Sequence, residues 1–225
     1  MMSRPGVLFD VDGTLVDTTY LHTEAWWEAL RQHERDVPMA EIHRAIGMGS
    51  DKILDHLLGD DRDRSEDDEL RTAHDVLYAA WWERLRPLPG AAELLHAVAE
   101  RGLAVVLASS AKAAELKVLR RVVRADDVIA AATSSADAEQ SKPAPDILQA
   151  ALDQSDVDPQ RAVFVGDSVW DVEAAGRLHI PCIGLTCGGT SAEELTKAGA
   201  VATYEDPADL LARLDQSAIA ELTAG

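Results

Sequence analysis

The stretch VLFDVDGTLV, residues 7–16, places two aspartates directly after a short apolar run and follows them with a glycine. Strand interiors are depleted in aspartate, and a buried carboxylate without a partner is costly to ionise. Asp10 and Asp12 therefore mark the end of a buried strand, where the chain turns at Gly13. Taken alone, Asp10 is better explained as a strand-end cap or a turn residue. Whether Asp10 has a function depends on which side chains the other strands place at the same edge of the sheet.

Similar apolar runs recur along the chain and predict five further strands. They cover residues 103–109, 127–133, 161–167, 180–186 and, as a candidate edge strand, 200–204. Continuous apolar runs separated by helical segments are typical of βαβ units, in which both faces of a parallel sheet are covered. With 6–11 as the first strand, the sequence predicts an α/β fold with a Rossmann-like parallel sheet.

Residues 17–87 interrupt this alternation with helical patterns alone. Leu70, Ala73 and Leu77 follow each other at helical spacing, and GSDKILDHLLG (49–59) is typical of a short helix capped by Ser50 or Asp51. We therefore predict a core domain from residues 1–16 and 88–225, with a helical cap domain inserted at 17–87.

Two further features of the insert have simple interpretations. The charged run DDRDRSEDDE (60–69) favours an exposed connection between helices. Tryptophan pairs at 26–27 and 81–82 are expected to pin the helices of the insert together, and an aromatic substrate wall is the alternative.

The composition narrows the classes of partner. The 225 residues include 21 basic and 40 acidic side chains, which gives a formal net charge of −19. Such a surface repels nucleic acid and anionic membranes, because both are bound through basic residues. The start of the chain, MMSRPG, lacks the apolar stretch of a signal peptide, and the two cysteines form no disulfide framework. We expect a cytoplasmic protein that binds neither nucleic acid nor membrane.

Polar side chains collect at the predicted carboxyl ends of the strands, where ligands bind in open α/β sheets. The set comprises Asp10, Asp12, Ser109, Ser110, Asp167, Ser168 and Asp171, with Lys142 in a nearby loop. Clustered carboxylates need a counter-charge, and oxygen ligands select a hard cation such as Mg²⁺. Ser109 and Lys142 suit a phosphate, and a carboxylate can attack phosphorus.

Electrostatic repulsion makes the cations necessary for such an attack. Two like charges about 4 Å apart repel by roughly 4 kcal/mol at an effective dielectric near 20, and a phosphate dianion roughly doubles that. Each ~1.4 kcal/mol is a factor of ten in rate. Without Mg²⁺ and Lys142, a carboxylate nucleophile would hardly approach phosphorus.

Four motifs resemble those of a known superfamily. In chain order they are DVDGTLVDT (10–18), LASS (107–110), SKPAPD (141–146) and GDSVWD (166–171). They are similar to the motifs of the haloacid dehalogenase (HAD) superfamily, in its branch of phosphoglycolate phosphatases and β-phosphoglucomutase-like enzymes. The likeness extends over about residues 5–215 and implies an α/β core with a helical cap.

The resemblance implies a role for each motif residue. Asp10 would be the nucleophile, and Asp12 the general acid and base that protonates the leaving alcohol and then activates water. Ser109 and Lys142 would hold the phosphoryl group. The implied function is a phosphatase that hydrolyses a small phosphorylated metabolite through an aspartyl-phosphate.

The same resemblance implies an Mg²⁺ site. Asp10, Asp167 and the backbone carbonyl of Asp12 would bind the ion, and Asp171 would support them. The cap would close over this site and exclude water.

Departures from the family patterns discriminate among its activities. The dehalogenase branch lacks an acid at the position of Asp12, which argues against carbon–halogen cleavage. The mutase branch carries glutamate where this chain has Gly166, so a phosphatase fits better. A sugar phosphomutase stays open as an alternative, as does a phospho-acceptor module without turnover.

Substrate contacts are less defined by the sequence. Candidates in the core are Ser110 and Lys112, for which an exposed helix lysine is an equal alternative. His22 follows the first motif, and a histidine on the surface of the cap is its alternative. The turn RAIGMGSDK (44–52) offers Arg44, Met48 and Lys52, and a plain turn between helices with solvated basic residues is the alternative there. The sequence identifies neither the substrate nor whether the chain is a monomer or a homodimer.

Overall fold

The computed structural model describes residues 3–223 and contains a six-stranded parallel sheet. The strands are β1 (Arg4–Phe9), β2 (Ala104–Ala108), β3 (Ile129–Thr133), β4 (Val157–Gly166), β5 (Cys182–Leu185) and β6 (Ala202–Tyr204). Their spatial order is β3-β2-β1-β4-β5-β6. The predicted α/β fold and its edge strand are confirmed, although β1 ends two residues before the predicted boundary, with Phe9.

Helices connect all successive strands. Between β1 and β2 lie α1 (Thr19–Gln32), α2 (Met39–Ala45), α3 (Ile53–Leu58), α4 (Asp67–Ala79) and α5 (Ala91–Glu100). The later connections contain α6 (Ala113–Val123), α7 (Asp146–Ser155), α8 (Val169–Arg177) and α9 (Ala192–Ala198), and after β6 come α10 (Pro207–Ala212) and α11 (Ala218–Glu221). No helix within residues 3–223 is both long and apolar enough to span a bilayer.

Alternating side chains of the strands fill two separate hydrophobic clusters, one on each face of the sheet. Val7 and Phe9 of β1 belong to the cluster covered by α5, α6, α10 and α11. Leu8, between them, belongs to the cluster covered by α7, α8 and α9. Both faces of every central strand are therefore buried, which explains the continuous apolar runs in the sequence.

The register of the central strands brings their carboxyl ends together. Phe9 pairs with Leu107 of β2 on one side and with Val165 of β4 on the other. Asp10 continues this pairing, since its N–H donates to the carbonyl of Val165 at 2.9 Å. The strand order reverses at β1, and such a switch point opens a crevice beyond the strand ends. Asp10 lies in this crevice.

Local capping signals explain where several helices begin and end. Ser191 and Glu194 form a capping box at the start of α9, and Gly199 ends that helix at a φ of 116°. The prediction for α3 was less accurate, because its N-cap is Lys52 without a side-chain cap bond, and neither Ser50 nor Asp51 starts it. Gly59 ends α3 at a φ of 84°.

Helices α1–α4 share a third hydrophobic cluster of their own. It contains Trp26, Leu30, Ile42 and Leu54, and Trp27 packs against it. The prediction for the second tryptophan pair was wrong, because Trp81 and Trp82 pack against the cluster of the sheet. They follow α4, at the point where the chain returns toward β2. The assignment of residues 17–87 to a cap domain stays a prediction.

The charged run at 60–69 is only partly an exposed connection. The side chain of Arg62 is 11% exposed and donates to Asp67 at 2.6 Å and to Asp55 at 2.7 Å. Asp67 is buried and lies in the first turn of α4. The expected solvated run thus contains a desolvated ion-pair network that joins α3 to α4.

Replacing Arg62 tests this network. Arg62→Ala leaves the Asp67 carboxylate buried without its bidentate partner, and we expect it to lower the free energy of unfolding by about 2 kcal/mol. Arg64→Ala is the matched control, because Arg64 is 55% exposed and also pairs with Asp55. An exposed pair of this kind contributes about 0.5 kcal/mol or less. Urea titration monitored by circular dichroism measures both, and equal effects would contradict the structural role of Arg62.

Candidate active site

A buried lysine forms hydrogen bonds with carboxylates that follow two neighbouring strands. Lys142 Nζ donates to Asp10 Oδ1 at 2.5 Å and to Asp171 Oδ1 at 2.7 Å. Asp10 follows β1, Asp171 lies in the first turn of α8 after β4, and all three side chains are at most 5% exposed. Burial lowers the pKa of Lys142, but the two carboxylates outweigh it and hold that pKa above its ordinary value. Lys142 is therefore a permanent cation at the strand ends.

Asp171 has a second role as a helix cap. Its Oδ2 accepts hydrogen bonds from the N–H of Ser168 at 3.0 Å and from its Oγ at 2.6 Å, which completes a capping box at the start of α8. The carboxylate lies against Gly166, where a Cβ would be 2.5 Å from Asp171 Cγ. Asp171 is thus fixed by α8 while its other oxygen faces Lys142.

Asp167 lies beside this pair and is also buried. Its Oδ1 accepts a hydrogen bond from Thr14 Oγ1 at 2.9 Å. A Cβ at Gly188 would overlap Asp167 Oδ2, and one at Gly13 would lie 2.5 Å from it. Both glycines therefore allow backbone to approach the carboxylate closely, and Gly13 also has a φ of 76°.

These acids form a group that fits a hard cation. Asp10, Asp167 and Asp171 each offer a carboxylate oxygen, and these atoms lie within 4.8 Å of one another. Burial raises the pKa of Asp10 to about 7 despite the lowering effect of Lys142, and burial with the charges of Asp171 and Asp10 raises that of Asp167. Three buried carboxylates share one ammonium, so the site has an excess of negative charge. An all-oxygen set of this kind suits Mg²⁺.

Asp12 faces the same crevice from the turn that follows β1. Thr18 Oγ1 donates to Asp12 Oδ1 at 2.8 Å and also accepts the N–H of Gly13 at 3.1 Å. His22 Nε2 lies 3.3 Å from the same Asp12 oxygen. A residue of the turn and a residue of α1 therefore fix the orientation of the carboxylate.

His22 belongs to a stack of aromatic rings between α1 and α4. Its ring stacks on Tyr78 with centroids 3.9 Å apart, and His74 stacks on Trp26 at 4.2 Å. Burial lowers the pKa of both histidines, and that of His74 falls to about 4. For His22 the hydrogen bond and charge of Asp12, with the charge of Glu115, reverse the effect and raise the pKa. The acids around His22 thus favour its charged form, whereas burial favours the neutral form of His74.

Glu115 brings a further carboxylate close to Asp12 and His22 from the core side. It lies in the first turn of α6, and its Oε1 is 3.5 Å from His22 Nε2. Burial raises its pKa to about 7, and the charge of Asp12 adds to the increase. Asp12, His22 and Glu115 form a second group whose ligand atoms lie within 4.8 Å of one another. This group joins α1 of the insert to α6 of the core.

One pocket is lined by Asp10 of the first group and by all three residues of the second, and both the insert and the core contribute to it. The insert contributes His22, Trp26, Ile46, Gly47, Met48, Gly49, Ser50, His74 and Asp75. The strand ends, the following loops and α6 contribute Asp10, Asp12, Ser110, Ala111, Lys112, Glu115 and Lys142. Trp26 therefore both packs in the insert and forms part of the pocket wall.

The predicted substrate residues divide into two groups. Met48, His22, Ser110 and Lys112 line the pocket, and the ammonium of Lys112 is paired with Asp75. Ser109 lies behind the wall, buried, with its Oγ accepting the N–H of Ala111 at 3.0 Å. Their proposed roles in binding stay predictions.

Arg44 and Lys52 do not line this pocket, and their role as substrate contacts stays a prediction. Arg44 is in the last turn of α2, is 69% exposed and is 3.9 Å from Glu194 in a second cleft. Lys52 donates to Gln140 at 3.1 Å. The turn between α2 and α3 presents Met48 and backbone to the pocket, so the basic residues at its two ends point to the surface of the core.

Hydrogen bonds hold the insert against the core at this turn. Gly49 N–H donates to Ser141 Oγ at 3.1 Å, and the N–H of Ser141 donates to Asp51 Oδ2 at 3.2 Å. On the other side, Trp170 Nε1 donates to the carbonyl of Arg44 at 2.9 Å. The structure therefore has the insert closed over the strand ends.

Sequence reasoning missed several residues that the structure brings to the site. His74 and Tyr78 are four residues apart in α4, and that spacing places them on one helix face. Thr18 is the last residue of the first motif, yet the motif alone does not reveal the role of its hydroxyl. Glu115 lies three residues after Lys112, the N-cap of α6. An acid three residues after an N-cap is a common signal of a first helical turn, and it could have placed Glu115 there.

Comparisons with known proteins agree with this geometry. The family description "haloacid dehalogenase-like hydrolase" matches residues 5–179. A phosphoglycolate phosphatase of Rhodospirillum rubrum is 28% identical over 213 residues, 91% of this chain and 88% of that protein.

Solved structures extend the likeness to the fold. The crystal structure of a hydrolase from Pseudomonas syringae has a TM-score of 0.89 and 32% identity, over 95% of this chain and 99% of that one. A protein described as a putative beta-phosphoglucomutase, from Bacteroides vulgatus, has a TM-score of 0.86 over 100% of this chain and 92% of its own, but at 19% identity it shows the fold alone. The resemblance seen in the four motifs is confirmed, and this chain belongs to the haloacid dehalogenase-like hydrolase family.

Proposed function

We propose that the protein is an Mg²⁺-dependent phosphatase that hydrolyses the phosphate monoester of a small metabolite. One observation carries the proposal: Asp10 lies at the mouth of a pocket, 2.5 Å from a buried lysine and beside the carboxylates of Asp167 and Asp171. Curated relatives such as the Rhodospirillum rubrum protein are phosphatases, which supports the same chemistry. The name of those relatives specifies phosphoglycolate, and whether this chain shares that substrate depends on its own pocket residues.

In the proposed first step, a carboxylate oxygen of Asp10 attacks phosphorus and the bond from phosphorus to the alcohol oxygen breaks. The leaving alkoxide takes a proton from Asp12, which Thr18 and His22 hold in the same pocket. The product of this step is an aspartyl-phosphate on Asp10 and a free alcohol.

The second step hydrolyses this intermediate. Water attacks phosphorus and gives its proton to the Asp12 carboxylate, while the bond from phosphorus to Asp10 breaks. Inorganic phosphate leaves and both aspartates return to their starting forms. Lys142 keeps one positive charge at the phosphoryl position throughout, because two carboxylates stabilise its protonated form.

The donor set indicates which residues would hold the metal. Asp10, Asp167 and the backbone carbonyl of Asp12 would bind Mg²⁺, and Asp171 would support them from the α8 cap. When bound, the ion neutralises negative charge on the carboxylates and on the phosphoryl oxygens. Thr14, through its bond to Asp167, keeps that carboxylate oriented toward the site.

Gly166 supports hydrolysis over phosphoryl transfer to a sugar. A side chain at this position would collide with the Asp171 carboxylate, whose Cβ lies 2.6 Å from where the new Cβ would be. The glutamate that the mutase branch carries here is therefore incompatible with the position of Asp171 in this chain. A cytoplasmic location stays a prediction from the sequence.

Phosphate release distinguishes the proposed phosphatase from the two alternatives. The protein is incubated with Mg²⁺ and a panel of sugar phosphates, small alkyl phosphates and nucleotides. Repeated release of inorganic phosphate supports the proposal. Isomerised sugar phosphate in excess over phosphate would indicate a mutase, and one phosphoryl group per chain without turnover would indicate a phospho-acceptor module.

Asp10→Asn removes the nucleophile and keeps the size of the side chain. We expect phosphate release to fall by at least about a thousandfold, because an amide does not form the acyl-phosphate. Circular dichroism should show an unchanged fold. Asp153→Asn, on the exposed face of α7, is the matched control and should retain full turnover. Near-normal turnover in Asp10→Asn would contradict the mechanism.

Chelation tests the metal. Dialysis against EDTA should reduce phosphate release by about a hundredfold or more, because the acidic site then repels the phosphoryl group, and added Mg²⁺ should restore it. Asp167→Asn should need a higher Mg²⁺ concentration for half-maximal release than the wild-type protein or Asp153→Asn. Full activity after exhaustive chelation would contradict the proposed dependence on Mg²⁺.

A further inference from the structure

Two buried oxygen atoms at the wall of the active-site pocket form no hydrogen bond within residues 3–223. They are Glu115 Oε1 and Ser110 Oγ, and both residues line the pocket. Buried polar atoms in native proteins are almost always paired, so each exception needs a physical explanation. Two exceptions on one wall indicate that a bound molecule completes them.

The nearby histidine does not satisfy Glu115. His22 Nε2 lies 3.3 Å from Asp12 Oδ1 and 3.5 Å from Glu115 Oε1. A ring nitrogen carries one hydrogen, which it can direct to one of these carboxylates, and the closer Asp12 oxygen receives it. Glu115 Oε1 therefore stays an open acceptor close to Asp12, the proposed proton donor to the leaving group.

The cations of this pocket are already engaged. Among the described residues that line it, Lys142 is paired with Asp10 and Asp171, Lys112 with Asp75, and His22 with Asp12. A leaving group with its own carboxylate would meet Glu115 beside Asp12, with no free cation to neutralise it. A leaving group with an ammonium would lie near Lys112, which shares the start of α6 with Glu115. A neutral hydroxyl meets neither penalty.

We propose that Glu115 is a specificity-determining residue that accepts a hydrogen bond from a hydroxyl group of the leaving alcohol. The preferred substrate is then the phosphate ester of a neutral polyol, not that of a hydroxy acid such as glycolate. Ser110 is the second polar partner, since its hydroxyl can donate to or accept from the same alcohol. The inference rests on the proposed phosphatase function and narrows the substrate class.

Three esters that differ in one group test the preference directly. They are 2-hydroxyethyl phosphate, 2-phosphoglycolate and phosphoethanolamine, which present a hydroxyl, a carboxylate and an ammonium on the same two-carbon alcohol. We expect kcat/KM for the hydroxyl ester to exceed that for each of the other two by about tenfold or more. This comparison uses the wild-type protein with Mg²⁺ and does not depend on the folding of any variant.

Glu115→Gln then tests whether this residue causes the preference. We expect kcat/KM for 2-hydroxyethyl phosphate to fall about tenfold and that for phosphoglycolate to change less than twofold or to rise. Structural damage alone would lower all three values together. Glu100→Gln, on the exposed end of α5, is the matched control and should leave the three values unchanged.

The outcomes separate this inference from the proposed function. Phosphate release with equal or higher kcat/KM for phosphoglycolate overturns the role of Glu115, as does an equal loss for all esters in Glu115→Gln. A preference for phosphoethanolamine overturns the assignment of a neutral hydroxyl. Failure to release phosphate from any of these esters or from p-nitrophenyl phosphate overturns the phosphatase proposal itself.

Discussion

The active site depends on one interaction, the contact of the Lys142 ammonium with the carboxylates of Asp10 and Asp171. A buried lysine stays charged only if acids compensate the loss of its hydration. Two buried carboxylates in contact likewise need a cation to offset their repulsion. The sheet supplies both acids, because parallel strands end at the same edge and the strand order reverses at β1. Gly166 then has to lack a side chain for Asp171 to reach the lysine. Fold, ion pair and reaction chemistry are thus consequences of a single arrangement.

The sequence predicted that Asp10 and Asp167 lie together at strand ends, and the structure has them there. Apolar strands that end in acids are rare enough to be informative, so the residue pattern alone places Asp10 and Asp167 at strand ends. The α/β class was predicted from the uninterrupted apolar runs, because a strand needs apolar residues at successive positions when both faces of its sheet are buried. The motif resemblance added the roles of the individual residues, and the family match supports that resemblance.

The side of the site around Glu115 could not be predicted, because it depends on how helices from distant parts of the chain meet. Glu115 and His22 are 93 positions apart in sequence and come together only when α1 crosses the start of α6. Arg44 and Lys52 show the same limit, since both belong to the predicted turn and neither lines the pocket that contains Asp10. The Arg62 network shows the same limit, because a charged run does not reveal which of its members lose solvent.

Amino-acid substitutions on the two sides of the pocket are expected to have different consequences. The phosphoryl side, around Asp10 and Lys142, is fixed by buried ion pairs that a substitution would leave uncompensated. The leaving-group side, around Glu115 and His22, combines one core helix with the aromatic stack of the insert, and its polar atoms are not all internally paired. On the proposed function, a substitution there would alter which alcohol is accepted without removing a partner from Lys142. The proposed chemistry depends on buried charges that are already neutralised within the protein. The proposed specificity depends on buried polar atoms that still need a ligand.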